Sequence, residues 1–404
     1  MSQAPRVTVV TSRLDVGGTE RHLARVMPEL RRRGIDIVLY AMVRGGSLEP
    51  ELSAQGVRIE GPPRRRFLHW PRATAQLARF LRRERPHIVH FFLPRPYIYG
   101  SLAAELAGHR RRIMSRRSLA DYMVRHPFAR TVERILHRRC LCLIGNSQAV
   151  VEQLAAECGD SRKVALIHNG VDSPGPTVAD ERRRTRQSLR IQDDAIVIVV
   201  VANLIPYKGH HDLLQALAQI GKIMPKPWSV LAIGRDDGIG AALKETARSL
   251  GLADNIVWLG EQTGVDEFLR AGDIFVLPSH EEGFSNALLE AMANALPVIA
   301  TAVGGNRDAI TDEETGLLVR PRDPSAIAAA ILRLAKDSVL RTRLGLAARQ
   351  RIRDRFSLAA CVDRYEALYR AVNEQPSKRL EDAFAAELIR PSARAKPPAS
   401  IHPR

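Results

Sequence analysis

The 404 residues exceed one ordinary core and fit two domains of typical size; 45% are hydrophobic and 26% charged, the balance of a globular protein. The longest apolar run, 195–202, falls far short of the ~20 residues that cross a bilayer, and the opening MSQAPRVTVV lacks the basic-then-apolar pattern of a secretory signal. Net charge is +17 and uneven: residues 1–172 hold 30 Lys and Arg against 15 Asp and Glu, whereas residues 173–355 hold 23 of each, so the first half either concentrates anionic partners or presents no more than an arginine-rich solvated surface.

In chain order, RVTVVTS reads as a buried strand, followed by a Gly-Gly turn and a helix over ERHLARVMPELRRRG that ends at Gly34. IDIVLYAM and HIVHFFL are further strands, with the helix ATAQLARFLRRE between them, and LCLIGNS precedes the helix QAVVEQLAAECG before KVALIHNG closes this half. The stretch VDSPGPTVADERRRTRQ, rich in Pro, Gly and charge, reads as a linker. Alternation restarts with AIVIVVVANL, apolar enough for a central parallel strand, and continues through SVLAIG, NIVWLG, DIFVLPS, LPVIATA and TGLLV. Strands separated by helix-length crossovers imply parallel sheets. The expected layout is a first domain over 1–172, a linker over 173–190, a second domain over 191–355, a helix over 356–375 and a mobile basic tail over 376–404. Cys140, Cys142, Cys158 and Cys361 match no zinc or redox spacing and are expected to be reduced thiols of a cytoplasmic protein.

Open parallel sheets bind ligands beyond the carboxyl ends of their strands, so the segments that follow strands carry the chemistry. Gly17 and Gly18 let backbone approach a ligand before a helix whose free N–H groups suit an anion, although a Gly-Gly turn alone is weak support. After the strand that opens the second half, NLIPYKGHHDLL places Lys208 in a loop, where it can pair with phosphate; read alone it is no more than a surface lysine before a turn. His210 and His211 are adjacent rather than at ligand spacing and read as helix-start residues. In SHEEGFSNALLEAMANALPVIATAVGG, Ser285 or Asn286 can cap a helix whose first-turn amides then face the crevice. Glu282 precedes the break at Gly283 and Glu290 lies in the helix among Ala-Leu-Leu and Ala-Met-Ala, so the two acids can address different parts of one ligand.

The pattern EGFSNALLEAMA, followed by PVIA and GG, resembles the signature of retaining glycosyltransferases of family 4, the group 1 type. The resemblance runs over about residues 5–372 and includes GGTER, IHNGVD, YKGH and FSLAACVDRYEALYRAV. It implies an α/β GT-B fold: two doubly wound Rossmann-like domains face a central cleft, and a C-terminal helix crosses back to the first. By the same resemblance, Glu290 holds the ribose of a nucleotide-sugar, and Glu282 with the amides of Gly283, Phe284 and Ser285 holds the donor sugar and diphosphate. Lys208 neutralises the leaving group, and Gly17 and Gly18 face it from the other domain. Lys208 and Glu282 are thus the expected catalytic pair. Two departures stand out. Many relatives carry a basic residue where this chain has Asn203, so that diphosphate contact is neutral here or supplied elsewhere. In IMSRRSLADY, where relatives often have a histidine, Arg116 or Arg117 offers a cation. GRDDG at 234–238 lacks the DxD spacing and reads as a turn; no metal or other cofactor is expected.

The implied reaction moves a sugar, from a UDP-sugar foremost, to an acceptor with retention, in cell-envelope polysaccharide or glycolipid synthesis. An alternative is another GT-B enzyme such as a nucleotide-sugar epimerase. Nucleic acid is not an expected partner, because only 5% of residues are aromatic and RRRFLHW is the sole basic-aromatic patch. That patch, Arg64, Arg65, Arg66, Phe67 and Trp70, is instead expected to meet an anionic membrane surface or an acceptor, lipid-linked or phosphorylated, on the inner face of the cytoplasmic membrane.

Overall fold

The computed structural model describes residues 4–63, 70–119, 127–175, 179–225 and 227–374. Arg64, Arg65, Arg66 and Phe67 of the basic-aromatic patch and the tail 376–404 lie outside the described residues. The first sheet contains β1 (Arg6–Thr11), β2 (Asp36–Ala41), β3 (Arg58–Glu60), β4 (Ile88–Phe92), β5 (Arg112–Arg116), β6 (Cys142–Gly145) and β7 (Val164–Leu166), in the order β3-β2-β1-β4-β5-β6-β7. The second contains β8 (Ile196–Val201), β9 (Trp228–Ile233), β10 (Ile256–Gly260), β11 (Ile274–Leu277), β12 (Val298–Thr301) and β13 (Leu317–Val319), ordered β10-β9-β8-β11-β12-β13. Each sheet reverses direction once, between β1 and β4 and between β8 and β11, and the ladders at both reversals are parallel. Such a reversal leaves a crevice at the carboxyl ends of the two strands.

The aliphatic runs form these strands because both faces of each sheet are covered. In β8, Ile198 and Val200 enter the core on one face while Val197 and Val199 enter that on the other. In β1, Val7 and Val9 lie in one core and Val10 in the opposite one. All four cysteines are unpaired and buried.

Two strands escape the sequence reading. β3 is a three-residue edge strand, too short to show a pattern. β5, RIMSR, is buried along its whole length although three of its five residues are polar. Its polar side chains pair with residues outside the strand: Arg112 with Glu105 at 2.5 Å, Ser115 with His90 at 2.8 Å, and Arg116 with Glu133 and Glu157 at 2.9 and 2.7 Å.

The last helix, Leu358–Glu374, returns to the first domain. Ile352 and Phe356 still belong to the second domain's core, whereas Cys361, Val362, Tyr365, Leu368, Tyr369 and Val372 pack with Val7, Leu23 and Met27 of the first. His90 is buried between Tyr369, at 2.7 Å, and Ser115; burial pulls its imidazole down to about 3, so it stays neutral and bridges two hydroxyls. The two passages between domains also pair, the Val171 N–H donating to Phe356 O and the Leu358 N–H to Val171 O, each at 3.0 Å.

Within the linker stretch, Ala179–Ser188 is a helix docked on the second domain. Arg186, fully buried, drives this: its guanidinium donates to the carbonyls of Ala271, Asp193 and Ala195 at 2.7–3.0 Å and to Asp273 at 2.8 Å. Removing one partner of such a set strands the others. Arg186→Ala is therefore expected to destabilise the second domain by ~3 kcal/mol, read by urea unfolding through the fluorescence of Trp228 and Trp258; an unchanged midpoint would contradict this account.

Candidate functional site

The carboxyl ends of both sheets face one another across a cleft of about 350 Å³, within the range of small-molecule sites. From the first domain come Gly17 to Arg21 after β1, Arg117 after β5, Asn146 after β6 and Asn169 after β7. The second contributes Asn203 and Lys208 after β8, Arg235 after β9, Glu261 and Gln262 after β10, and Glu282 to Ala287 with Glu290 after β11. Gly17, Gly18, Asn203, Lys208, Glu282, Gly283, Phe284, Ser285 and Glu290 thus line one space. Trp70 is elsewhere, opening helix Trp70–Glu84 and stacked on Tyr99 at 4.5 Å between centroids.

The two acids are held separately. Ser285 is the N-cap of helix Asn286–Ala293, its hydroxyl accepting from the Leu288 N–H at 3.3 Å, which leaves earlier amides of the turn without an intrahelical partner. Glu282, before the helix, accepts from Ser279 at 2.7 Å and from the Lys208 ammonium at 2.6 Å. Lys208 ends a single 3-10 turn, Pro206–Lys208, and His210 starts the helix that follows. Glu290, in the second turn of its helix, pairs with Arg25 at 2.6 Å. Arg25 comes from helix Gly18–Arg32 of the first domain, so this ion pair spans the cleft.

Further bonds tie the domains. Asn286 donates to Gly18 O at 2.9 Å and Arg21 to Gln262 O at 2.8 Å. Asn169 donates to Phe284 O at 2.9 Å and to Asn286 Oδ1 at 2.7 Å, and accepts from Arg117 at 2.7 Å. The backbone approaches closely where Gly283 meets the Arg117 carbonyl; a Cβ at Gly283 would overlap that oxygen. Adjacent residues on a strand point to opposite sides, and this separates the two arginines. Arg116 turns into the Glu133–Glu157 network, whereas Arg117 turns to the cleft. Burial lowers the pKa of Arg117, and its Nη1 meets no acceptor. Burial, reinforced by Arg117 and Arg25, holds His22 beneath the cleft well below the usual histidine range, hence neutral. Burial also raises the carboxyl of Glu20, which borders the cleft.

Several cleft residues carried no signal in the sequence. Arg25 sits mid-helix with no motif around it, and Arg235 lies in a loop that reads as a turn. Asn203 lines the cleft, but its amide is turned to that loop: Oδ1 accepts from the Arg235 N–H at 3.3 Å and Nδ2 donates to Asp237 at 3.1 Å. The one available clue to Arg235 was its place directly after strand β9, level with Asn203 after β8. Among the described residues no three His, Cys, Asp or Glu are grouped to hold a metal ion.

Residues 16–173 match the model of Glycosyltransferase Family 4 and residues 181–351 that of Glycosyl transferases group 1. Two D-inositol 3-phosphate glycosyltransferases are similar in sequence. That of Geodermatophilus obscurus is 33% identical over 260 residues, 62% of this chain and 57% of that protein. That of Actinosynnema mirum is 30% identical over 361 residues, 82% of this chain and 86% of that one. The lipopolysaccharide core biosynthesis glycosyltransferase LpsE of Rhizobium meliloti is 27% identical over 358 residues, covering 86% and 94%. Among solved structures, Anabaena Alr3699/HepE in complex with UDP superposes with a TM-score of 0.80 at 20% identity, over 91% of this chain and 100% of that one. The likeness is one of fold: two facing parallel α/β domains, GT-B.

The contact at Gly283 has a testable outcome. Gly283→Ala is expected to push the two domains apart, giving a larger radius of gyration by small-angle X-ray scattering than the wild type. Gly18→Ala, where a Cβ has open space, should match the wild type. Identical scattering from all three proteins would remove the Gly283 contact as a constraint on closure.

Proposed function

The chain belongs to the group 1 glycosyltransferases of family 4, and we propose that it moves a hexose from a nucleotide-diphosphate donor to an acceptor hydroxyl with retention at the anomeric carbon. The observation that carries this reading is the split of two acids around one capped helix start: Glu282 beside Lys208 before it and Glu290 beyond it, all on one cleft. The ribose hydroxyls replace Arg25 on Glu290. The diphosphate lies against the amides of Gly283 to Ser285, where the helix end favours an anion. Glu282 takes sugar hydroxyls, and Lys208 shifts from Glu282 to the phosphate oxygens. As the bond from the anomeric carbon to the diphosphate breaks, negative charge grows on those oxygens, and a preplaced ammonium and helix end stabilise it without reorganisation. The facing domain excludes water and aligns the acceptor. No metal is assigned to this site.

UDP-sugars are the first donors to test, since the similarly folded Anabaena protein is captured with UDP and with UDP-glucose. Thermal unfolding with UDP-, GDP- and ADP-sugars is expected to show protection by one nucleotide class; protection by none would overturn the reading. With the donor known, Glu290→Gln should weaken its affinity about 10- to 100-fold, the loss of a charge-assisted hydrogen bond. Lys208→Ala should instead lower kcat more than it raises KM; kcat preserved with raised KM would reduce Lys208 to a binding residue. Activity should persist in EDTA, and its loss with rescue by Mg²⁺ or Mn²⁺ would contradict the metal-free assignment.

The acceptor side of the proposal is a glycan, lipid-linked or phosphorylated, in envelope polysaccharide or glycolipid synthesis at the inner face of the cytoplasmic membrane. The cationic first half supports it, as does the similarity to LpsE. Tyr99, Leu102 and Leu106 share one face of helix Pro94–Leu106; both leucines are about half exposed, and Trp70 stacks on Tyr99. Aromatic residues beside arginines favour an anionic lipid interface. Liposome sedimentation should show binding that requires anionic lipid, weakens with salt and falls when Phe67 and Trp70 become Ser. A protein that stays in the supernatant at low salt refutes membrane docking.

A further inference from the structure

The donor reading leaves a charge imbalance in the cleft. A nucleoside diphosphate brings more than one negative charge, while Lys208 is a single cation already shared with Glu282. Of the first-domain arginines nearest the cleft, Arg21 is held on Gln262 O, Arg25 is released once the ribose takes Glu290, and Arg117 keeps Nη1 without an acceptor, but all three lie across the cleft from Lys208. Arg235 is differently placed. β8 and β9 pair in parallel with Val201 opposite Ile233, so Asn203 and Arg235, each two residues further, leave the sheet side by side. Gly234 lets the chain turn against the Ala202 carbonyl, which a Cβ there would overlap.

The Arg235 side chain is gripped on one edge only. Its Nε and Nη2 donate to Asp237 at 2.7 and 3.1 Å. Asp237 is held in turn by Asn203 Nδ2, and the Arg235 N–H by Asn203 Oδ1. Nη1 has only a long ion pair, with Glu261 at 3.8 Å, beyond a hydrogen bond, and the side chain is 45% exposed. A guanidinium hydrogen-bonded through one edge, with a long and exposed ion pair at the other, is preorganised to exchange that pair for two phosphate oxygens.

We propose that Arg235 is a ligand of the donor's diphosphate, the second cation beside Lys208, and that Asn203 is a positioning residue that aims it. This deepens the nucleotide-sugar reading and rests on it. The amide at 203 does not carry charge to the phosphates; it braces the neighbouring strand's loop so that charge arrives from there.

Calorimetric titration of the full chain with UDP, alongside uridine at millimolar concentration followed by ligand-observed NMR, tests the assignment. Arg235→Ala is expected to weaken UDP about 10-fold or more, as loss of a charge-assisted contact does, and to leave uridine unchanged. Asn203→Ala should weaken UDP less, and add nothing in the Arg235→Ala background, because it acts through that arginine. Asn203→Arg combined with Arg235→Ala should recover UDP affinity by placing a cation at the neighbouring position. Equal losses for uridine and UDP would place Arg235 on the base and overturn the proposal, as would unchanged UDP affinity. A wild-type chain that binds none of UDP, GDP and ADP would instead sink the nucleotide-sugar reading itself.

Discussion

One carboxamide, that of Asn169, sets the relation between the two halves of this molecule. It is 2% exposed, and its three contacts reach the Phe284 carbonyl, the Asn286 side chain and the Arg117 guanidinium. A buried amide must satisfy its polar atoms, and here they are satisfied by the loop that starts the second domain's cleft helix and by the cation at the floor of the first. The contact holds the helix start at Ser285 opposite Gly18 and brings Gly283 onto the Arg117 backbone. Every cross-cleft pairing, including Arg25 with Glu290, presupposes that spacing.

The aliphatic strands were legible because their chemistry is local: β8 is a run of Ile and Val whose only sensible place is between two helical layers. The cleft helix was legible for a similar reason, since Ser285, Gly283 and the spacing of its acids fall within ten residues. What stayed hidden depends on partners far along the chain. Strand β5 looks too polar to be buried until Glu105, His90, Glu133 and Glu157 are folded against it. The choice between Arg116 and Arg117 could not be made without the phase of that strand. Arg25 becomes a cleft residue only through a partner 265 positions away. The helix Pro94–Leu106 carries Pro and Gly among residues that are buried on one side and exposed as leucine on the other, so its periodicity is blurred.

The first domain's excess of positive charge also changes meaning once it is distributed in space. Arg112 and Arg116 are interior and neutralised by acids. Arg21, Arg25 and Arg117 are directed at the second domain or its connection. Among the described residues, cations left for an outside partner include Arg79, Arg82 and Arg138 on the outer helices, all exposed. A sequence-level surplus thus divides into structural, interdomain and outward-facing parts, and only the last creates a long-range field.

The helix that crosses back ties the two ends of the chain into one fold and so imposes an order on biosynthesis. The first domain's core lacks Tyr365, Leu368, Tyr369 and Val372 until the ribosome has passed them. Those residues emerge about 200 positions after the rest of that domain, which at ~5–20 residues per second means on the order of 10–40 s with an apolar groove open on the nascent chain. Vectorial folding therefore completes the second domain first, and the N-terminal half waits for its closing helix, a window in which chaperone occupancy of that groove has its physical basis.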